Sequence, residues 1–401
     1  MHLQHLDLAF FRNYTRLELD LQACIHILQG ENAQGKTNLL EAVYCLAAMK
    51  SPLASSDRLL ISWHAQQEVL PFASVNGRFT RAEEEHTLDI TIMNEQANGI
   101  DRLRPGLRKQ VRYDGHVMRV LECIGKLNAI LFLPEDVGLV SGPPGGRRRY
   151  LDASLCQQYP DYCRSLALYL RTLTQRNALL KQIRERRSSA SELTYWDEQL
   201  ARLGSILLVK RIQFVNDLSA YLDGLFPELT EGLETLQLDY SNPVIAADAE
   251  RRQNTFDTPD AQGQERAALY ENILRALLEQ RRREEIARAM TVIGPHRDNL
   301  RFIVNGYDAS EYGSRGQQRT ISLALKLAEA FLMQSKSGES PVLLLDDIFS
   351  ELDQRRSRLV LSLLERTDQV LITTTDLNAC DPLLVGRARV WQVANGTVTP
   401  L

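Results

Sequence analysis

The sequence predicts an α/β protein whose phosphate-binding lobe is interrupted by a long helical insertion. A glycine-rich phosphate-loop motif at residues 30–37 follows a short apolar stretch near the start of the chain. A second apolar stretch ends in Asp346, 310 positions (346 − 36) after Lys36. Helical patterns without internal proline fill residues 161–226. One compact lobe does not need so much chain between its two motifs, so we expect the middle region to leave the lobe and return.

We accordingly divide the 401 residues into three regions. Residues 1–134 form the N-terminal part of the lobe, residues 135–288 form the inserted helical domain, and residues 289–401 form the C-terminal part. The two outer parts are expected to share one mixed sheet. Hydrophobic residues make up 44% and charged residues 24% of the chain, which is typical of globular proteins and excludes a disordered or fibrous chain.

The sequence also predicts a reduced, cytoplasmic setting. It contains no run of 18 apolar residues, and its first residues lack the basic start and apolar run of a secretory signal. We therefore expect no membrane partner. The six cysteines contain no C-x-x-C pair, so they are expected to be reduced core residues rather than zinc ligands or disulfides.

Positive charge is concentrated in two neighbouring stretches of an otherwise acidic chain. The formal net charge is −4, which argues against a strongly basic nucleic-acid binder. Residues 101–150 nevertheless hold ten Lys/Arg against five Asp/Glu, and residues 161–190 hold seven against two. Either run alone is as well explained by solvated helix faces. Together they indicate a surface that faces an anion.

In the N-terminal region, a strand and a helix flank the phosphate loop. The apolar run Cys24–Leu28 predicts a strand, and the helical spacing of leucines predicts a helix over Asn38–Met49. Further strands are expected at the alternating residues Leu88, Ile90 and Ile92, in a hairpin around Asp114-Gly115, and at Ala129–Leu133.

The middle region is predicted to be helical. Ser188–Ser191 has the composition of a turn between two long helices, and Arg266–Arg288 predicts a further helix. The polar stretch Asn242–Gly263 is predicted to be a loop. An apolar stripe at helical spacing comprises Leu200, Leu203, Leu207, Phe214, Leu218 and Leu222. In the C-terminal region, strands are expected at Asn299–Val304, Val342–Leu345 and Val370–Thr374.

The phosphate loop is the strongest functional signal. Its residues are Gly30, Glu31, Asn32, Ala33, Gln34, Gly35, Lys36 and Thr37, followed by Asn38. Glycines let the backbone curl so that its N–H groups face phosphate oxygens, and the following helix adds its positive N-terminus. Lys36 supplies a cation to the β and γ phosphates, and the Thr37 hydroxyl suits Mg²⁺. The sequence thus predicts a nucleotide site for ATP and Mg²⁺.

A second acidic motif supplies the metal-side carboxylate. The strand Val342–Leu345 delivers Asp346, which is predicted to hold Mg²⁺ directly or through water. Asp347 follows at once, and two adjacent carboxylates beside a buried strand are costly unless a cation offsets them.

A third motif, Ser314-Arg315-Gly316-Gln317, precedes a predicted helix 30 residues before Asp346, with Ser314 as its cap. This order resembles the signature motif of ABC-type ATPases. In that superfamily the signature helix of one subunit points at the γ-phosphate held by the other. Ser350–Asp353 resembles the D-loop, and Thr375 occupies the place where a switch histidine is usual.

Several further motifs resemble those of the bacterial RecF family, in the same order along the whole chain. They are Phe11-Arg12-Asn13-Tyr14 with the phosphate loop, Leu133–Asp136, Val140, Gly142, Pro144, Arg147–Asp152, Gln175–Asn177, Trp196–Glu198, Gly294–Asp298 and Ser314–Gln317.

The resemblance implies an SMC-like ABC ATPase head of recombinational repair without a long coiled coil. Members dimerise on ATP, bind DNA, and act with RecO and RecR to load RecA at single-strand gaps. They take part in replication restart and the SOS response. The resemblance further implies that Arg12 and Asn13 lie near the nucleotide and that Glu135 occupies the Q-loop position, where the usual glutamine is absent.

These features favour a slow, Mg²⁺-dependent ATPase that acts as a switch. Lys36 would stabilise charge, and Asp347 would orient or deprotonate water with a shorter reach than the usual glutamate. His296 and Trp196 are expected to be structural, whereas the run Arg147–Arg149 is equally compatible with a solvated face or with phosphate contacts.

The alternative functions are the ATP-binding subunit of a transporter or another SMC-like complex, a metabolic phosphoryl-transfer enzyme, and a related nuclease. The last two would need a small-substrate pocket or an added acidic metal-binding domain, and the sequence indicates neither.

Overall fold

The structure is a computed structural model that describes residues 1–95, 106–254, 264–351, 356–357, 360–361, 364 and 367–401. The chain divides into two compact units. Unit 1 comprises Met1–Asp136, Pro227–Gly232 and Leu323–Leu401, and unit 2 comprises Val137–Phe226 and Leu233–Ser322. Unit 1 is therefore built from three separate stretches of the chain and unit 2 from two.

Unit 1 contains a six-stranded antiparallel sheet in the order β2-β1-β4-β5-β6-β7. Its strands are β1 (His2–Phe11), β2 (Tyr14–Asp20), β4 (Phe72–Arg81), β5 (Glu84–Asn94), β6 (Leu107–Tyr113) and β7 (His116–Met118). The strand around Leu88–Ile92 and the hairpin at Asp114-Gly115 were expected from the sequence. The long strands β1, β2 and β4 were not.

The second sheet of unit 1 carries the site. Its strands are β3 (Ile25–Gln29), β8 (Ala129–Phe132), β12 (Val342–Asp346), β13 (Val370–Thr374), β14 (Arg389–Ala394) and β15 (Thr397–Pro400). The order is β15-β14-β3-β13-β12-β8, and all neighbours are parallel except β14 and β15. The two outer parts of the chain thus form one mixed sheet. The loop after β3 and the acidic pair at the end of β12 lie at the same carboxyl edge, with β13 between the two strands.

The helices of unit 1 include α1 (Lys36–Ala48), α2 (Val120–Cys123) and α10 (Pro382–Arg387). Helix α1 packs against strands of both sheets. Its predicted apolar residues Leu39, Leu40, Val43 and Leu46 are fully buried in one hydrophobic core. Burying a leucine stabilises the fold by about 1.5–3 kcal/mol, so this core fixes the position of the helix that follows the phosphate loop.

Unit 2 combines helices with a three-stranded sheet. Its elements are α3 (Val137–Ser141), α4 (Pro144–Gln158), α5 (Pro160–Arg184), α6 (Leu193–Thr230), α7 (Pro243–Asn254), α8 (Gln264–Arg288), β9 (Leu236–Ser241), β10 (Asn299–Val304) and β11 (Tyr307–Asp308). Helix α9 (Arg315–Ser337) begins in unit 2, and both α6 and α9 end in unit 1. All six residues of the predicted α6 stripe are buried.

The middle region differs from the expected all-helical insertion in its strands and its boundary. Strand β10 pairs antiparallel with β9, so residues 289–322 group with the helices rather than with the lobe. The sequence placed the boundary at residue 288 because β9 was not detected and β10 therefore had no visible partner in the middle region.

The prediction of a loop over Asn242–Gly263 is wrong for its first half. Residues 243–254 form α7, and residues 255–263 lie outside the described part of the chain. Asn242 starts the helix, because its side-chain oxygen accepts a hydrogen bond of 2.6 Å from the Val244 backbone. Val244 and Asp248 are buried at helical spacing. The polar composition of the stretch concealed this short buried face.

Arg147 fits neither alternative considered for the basic run. It is 5% exposed and donates hydrogen bonds to the carbonyls of Leu139, Val140 and Gly142 at 2.8–3.3 Å. Arg147 therefore satisfies the carbonyls at the end of α3. Of its neighbours, Arg149 is exposed, whereas Arg148 is half-buried.

Arg176 is the centre of a buried ion network in unit 2. It is fully buried, and it donates to Asp197 at 2.7 Å, to Glu285 at 2.6 Å and to Thr291 at 2.7 Å. Two of the motifs singled out in the sequence, at residues 175–177 and 196–198, thus meet in space. Trp196 is partly buried against Leu179, Leu180 and Leu193, as expected for a structural residue.

None of the helices in the described part of the chain combines the length and apolar character that a membrane span requires. All six cysteines are free thiols, as expected, and five of them are buried.

We expect Arg176→Ala to destabilise unit 2 by about 3–5 kcal/mol, because it leaves the buried carboxylate of Glu285 without its cation and leaves Asp197 with Arg282 alone. Urea unfolding followed by far-UV circular dichroism measures the change. Arg164→Ala is the matched control: Arg164 lies on the same helix and contacts Asp161 at 2.5 Å on the surface. The control should lose about 1 kcal/mol or less. Equal losses in the two variants would contradict the interpretation.

Candidate functional site

The phosphate loop curls between β3 and α1 in a conformation that requires its glycines. Gly35 caps α1 with a φ of 114°, a left-handed conformation that favours glycine. A Cβ atom on Gly30 would lie 2.3 Å from the Val393 carbonyl oxygen. The Gly30 N–H donates to the Thr374 carbonyl at 3.2 Å. The first glycine is therefore needed for close approach to neighbouring strands, and the second for the turn into the helix.

Side chains behind the loop hold its shape. Asn13 donates to the Gln34 carbonyl at 2.9 Å and accepts from Asn38 at 2.8 Å, and the Tyr14 hydroxyl donates to the Gly35 carbonyl at 3.0 Å. Asn13 thus contacts the loop backbone. The hairpin between β14 and β15 adds a hydrogen bond of 2.7 Å from the Asn395 backbone to the Gln34 side chain.

Lys36 places an ammonium group inside the loop. It is 7% exposed and donates to the carbonyls of Gly30 at 2.6 Å and Glu31 at 2.8 Å. Burial lowers the pKa of Lys36, while the nearby carboxylates of Asp347 and Asp346 oppose that shift. The three charges thus lie within electrostatic reach of one another.

Asp346 accepts hydrogen bonds from two threonines. The Thr37 hydroxyl lies 2.8 and 3.0 Å from its two carboxylate oxygens, and the Thr373 hydroxyl lies 2.6 Å from one of them. Burial raises the pKa of Asp346, the two hydroxyls lower it, and the charges of Asp347 and Glu135 raise it again. Thr37 and Asp346, the two predicted metal-side residues, are therefore in direct contact.

Asp347 and Glu135 lie at the same edge of the sheet. Asp347 follows β12 with a left-handed φ of 47°, and its backbone N–H donates to the Thr373 hydroxyl at 2.9 Å. Glu135 is exposed in a short 3-10 turn (Pro134–Asp136) after β8, the neighbour of β12. Three carboxylates therefore face one region of unit 1.

The oxygen donors at this edge fit a magnesium ion. Mg²⁺ is typically held by one or two carboxylates together with water and phosphate oxygens. Asp346 and Thr37 provide one carboxylate and one hydroxyl, both hard oxygen ligands. In the described residues no cluster of three or more His, Cys, Asp or Glu side chains could hold a metal by itself.

Arg12 is engaged by a residue that the sequence analysis did not single out. Its guanidinium makes two hydrogen bonds of 2.7 Å to the carboxylate of Glu41, which is fully buried on α1. The hydrogen bond to Glu41 raises the pKa of Arg12. Arg12 also donates to the Leu59 carbonyl at 3.2 Å. Arg12 thus links α1, through Glu41, to the segment around Leu59 by hydrogen bonds.

Thr375 is exposed just beyond the end of β13. Its neighbour Thr374 donates to the Asp376 carbonyl at 2.9 Å. Of the expected D-loop stretch, residues 352–353 lie outside the described residues, and the backbone of Ser350 and Glu351 belongs to a short 3-10 turn (Ile348–Glu351).

The signature motif begins a helix in unit 2, as predicted. The Ser314 hydroxyl accepts from the Gln317 backbone at 3.2 Å, and the Gln317 side chain accepts from the Ser314 backbone at 2.8 Å. This reciprocal pair is a capping box at the start of α9. Ser314, Arg315 and Gly316 are exposed, while Gln317 also donates to Glu234 at 2.6 Å.

Three functional contributions were missed from the sequence. Thr373 orients Asp346, Glu41 holds Arg12, and the backbone at Val393 and Asn395 supports the loop. The run Thr373-Thr374-Thr375 at the end of a buried strand was a usable signal for the first. The other two depend on which strands and helices are neighbours, which spacing does not reveal.

Comparison with known proteins agrees with this architecture. The family model "RecF/RecN/SMC N terminal domain" matches residues 2–392. The protein named DNA replication and repair protein RecF from Chloroflexus aurantiacus is 41% identical, with 99% of each chain covered. The counterpart of the same name from Roseiflexus castenholzii is also 41% identical, with 100% of each covered.

A solved structure described as the recombination mediator protein RecF with ATPrS in the RecFOR pathway is 27% identical. It superposes with a TM-score of 0.84 over 100% of this chain and 98% of that one. An SMC head bound to the C-winged helix domain of ScpA, 15% identical with a TM-score of 0.52 over 100% and 97%, shares the fold. The order of motifs, the split lobe with its ABC-type ATPase head fold and the full-length similarity lead to one conclusion: the chain belongs to the RecF family.

Proposed function

We propose that this protein is an ATP-dependent, DNA-binding switch of recombinational repair. The observation that carries the proposal is the contact of Thr37 with Asp346, which brings the phosphate loop and the second acidic motif together at one sheet edge. Full-length relatives named as DNA replication and repair proteins support the biological setting. A related solved structure described as RecF with ATP supports the nucleotide.

The residues of the loop match the chemistry of a nucleoside triphosphate. Residues 30–38 present backbone N–H groups and the start of α1 to phosphate oxygens, and Lys36 supplies the cation. Asn13 holds the loop in this shape, and Arg12 positions α1 through Glu41. Thr37 and Asp346 would hold Mg²⁺, which when bound supplies charge neutralisation to the phosphates.

Hydrolysis would depend on Asp347, with Glu135 as a second carboxylate at the same edge. Asp347 would orient or deprotonate the attacking water, and Lys36 would stabilise developing charge. Aspartate is one methylene shorter than the glutamate more usual at this place in the superfamily, so we propose a slow turnover. Hydrolysis then times the lifetime of a complex rather than driving a metabolic conversion.

The start of α9 is suited to contact a second copy of the chain. A helix N-terminus leaves backbone N–H groups without intrahelical acceptors and carries positive potential. Residues 314–316 are exposed there. We propose that Ser314–Gln317 of one copy meet the γ-phosphate bound by the other, which makes the homodimer dependent on ATP.

The second basic run is the better candidate for contacts with DNA. Of its seven basic residues, Arg176 is buried in the ion network and six are exposed. Lys181, Arg184, Arg186 and Arg187 cluster at the end of α5. In the first run, Arg147 is buried, and Arg102 and Arg104 lie outside the described residues. We propose that DNA, including single-strand gaps, binds at the second basic run. We further propose that the protein acts with RecO and RecR to load RecA during repair, replication restart and SOS induction.

We expect Lys36→Ala to weaken ATP binding by roughly 10- to 100-fold, because hydrogen bonds to charged groups contribute about 1.5–3 kcal/mol. Isothermal titration with ATP and Mg²⁺ measures the change. Lys50→Ala, an exposed lysine just after α1, is the control and should bind as the wild type does. Asp346→Asn should mainly weaken the binding of Mg²⁺ in this site. Unchanged affinity in the Lys36 variant would refute the nucleotide site.

We expect Ser314→Arg to bind ATP but to lose both dimerisation and hydrolysis, because a bulky side chain enters the proposed junction without touching residues 30–37. Light scattering with ATP and with ADP tests this. Ser335→Arg places the same side chain on an exposed position of the same helix and should dimerise normally. Equal dimer populations in the wild type and the Ser314 variant, with either nucleotide, would show that the signature interpretation is wrong.

We expect DNA binding to weaken steeply with salt, since phosphate contacts release counterions. Simultaneous alanine substitution of Lys181, Arg184 and Arg186 should flatten the slope of log affinity against log salt by about 1 per lost contact. Fluorescence anisotropy with gapped, linear and single-stranded DNA provides the measurement. Arg16→Ala, an exposed arginine paired with Glu18 in unit 1, is the control. A slope that does not change in the triple variant would place the DNA elsewhere.

A further inference from the structure

Unit 1 contains a cleft at the end of β3 that is opposite to the phosphate loop. The cleft has a volume of about 420 Å³, within the range of roughly 300–1,000 Å³ that is typical of small-molecule sites. Its lining comes from β1, β4 and β5, from the end of β2 and the segment after it, and from the start of β14. That segment precedes β3, whereas the phosphate loop follows it. The 5 residues of β3, at ~3.3 Å each, separate the two places by about 16 Å.

A β-bulge on β1 places the Gln4 side chain in this cleft. The pairing of β1 with β4 shifts between Leu3 and His5, so Gln4 has no partner on β4. Bulges of this kind re-aim a side chain, and Gln4 is among the residues that line the cleft. The Gln4 carbonyl accepts a hydrogen bond of 2.8 Å from the Leu21 backbone. The segment after β2, which forms another part of the lining, is therefore fixed to the bulge itself.

The Gln4 amide has hydrogen-bonding capacity that the described part of the chain does not use. Its oxygen is buried and accepts no hydrogen bond from any described residue. A buried acceptor without a donor destabilises the fold, so the oxygen calls for a ligand that brings an N–H or O–H group. A glutamine amide, with one acceptor and one donor side by side, matches the N6 donor and the N7 acceptor of adenine.

Two arginines line the same cleft. Arg78 and Arg389 are exposed, and within the described ranges neither guanidinium has a hydrogen-bond or ion-pair partner. Guanidinium groups bind phosphate oxygens through paired N–H donors. Asp20 and Glu85 also line the cleft, and Asp20 lies 2.7 Å from the His5 ring. Two cations next to two carboxylates can offset the charge of one phosphate better than that of three, so the lining favours a monophosphate over a triphosphate.

We propose that this cleft binds an adenine nucleotide with one phosphate, at a site separate from the phosphate loop. The Gln4 amide accepts a hydrogen bond from the N6 amino group and donates one to N7, while Arg78 and Arg389 bind the phosphate. The half-buried His2 ring and the buried Leu21 side chain line the cleft and offer the base a flat ring and an apolar group. The same chemistry is present in free AMP and in the 5′-terminal nucleotide of a strand that begins with adenine.

Isothermal titration of the full-length protein with AMP, after ATP and Mg²⁺ have filled the phosphate loop, tests the site. A titration with ATP alone comes first, so failure of the phosphate loop to bind ATP is recognised separately. We expect AMP to bind the ATP-loaded protein at one site per chain. Inosine monophosphate should bind roughly tenfold more weakly, because its O6 and N7 are both acceptors and leave the Gln4 oxygen without a donor. Absence of AMP binding, or equal affinities for the two nucleotides, would overturn the proposal.

Gln4→Leu keeps the approximate size of the side chain and removes the amide. We expect AMP binding to weaken roughly tenfold and the preference for AMP over inosine monophosphate to disappear. The midpoint of thermal unfolding should stay the same or rise, because an apolar group replaces a buried oxygen that has no donor. A glutamine with a purely structural role predicts the reverse. A lower midpoint together with an unchanged affinity for AMP would therefore refute the role of Gln4.

The phosphate contacts are tested with the double variant Arg78→Ala, Arg389→Ala. It should weaken binding of AMP and of inosine monophosphate by the same factor and leave the weaker binding of adenosine, which has no phosphate, unchanged. Arg16→Ala, an exposed arginine on β2 of the same sheet, is the control and should bind AMP as the wild type does. An AMP affinity that is the same in the double variant and in the control would contradict the phosphate site.

A 5′-phosphorylated oligo(dA) strand distinguishes the two sources of the nucleotide. If Gln4→Leu weakens binding of the strand as well as of AMP, the cleft accepts the end of a nucleic acid. If Gln4→Leu weakens binding of AMP alone, the ligand is a free nucleotide. If the variant changes neither affinity, the cleft does not recognise adenine and the proposal fails.

Discussion

The carboxylate of Asp346 is the point on which the candidate site of unit 1 depends. It accepts hydrogen bonds from Thr37, 309 positions earlier, and from Thr373, 27 positions later. These three residues come from the start of α1 and from the ends of the adjacent strands β12 and β13. A buried carboxylate is costly unless it is hydrogen-bonded, so the two hydroxyls stabilise a charged group at the point where both strands end. The phosphate loop with Lys36, and Asp347, lie around this carboxylate.

Unit 2 is organised by buried arginines. Arg211 is 2% exposed and donates to the Pro295 carbonyl at 2.7 Å, to Asp152 at 2.7 Å and to Asp298 at 3.2 Å. Asp298 also accepts from Tyr240 and Asn242. The motif Gly294–Asp298 therefore has a structural role in this unit, because it accepts hydrogen bonds from the surrounding elements. His296 agrees with that role: burial lowers its pKa to about 4, and the neutral ring lies between the Tyr169 hydroxyl at 2.7 Å and the Thr291 carbonyl at 3.1 Å.

The sequence was most informative where local rules act alone. A short sequence pattern was enough to predict three features. They are the strand–loop–helix around residues 25–48, the buried strands β12 and β13, and the cap of α9. Strands β1, β2 and β4 were missed because their buried positions become visible only once β1 pairs with both neighbours. The burial of Arg147 was missed for a related reason. The sequence of a basic run does not reveal that one of its arginines donates hydrogen bonds to three backbone carbonyls. Partners distant along the chain are what spacing cannot show.

The support behind the phosphate loop also fixes an order of events during synthesis of the chain. Residues 30–37 are synthesised before Thr374, Val393 and Asn395, which lie against Gly30 and Gln34. A nascent chain that stops before β12 carries the complete loop motif without the strand that delivers Asp346 and without the neighbours that shape the loop. A chain truncated there would therefore carry the motif without the residues that complete the candidate site.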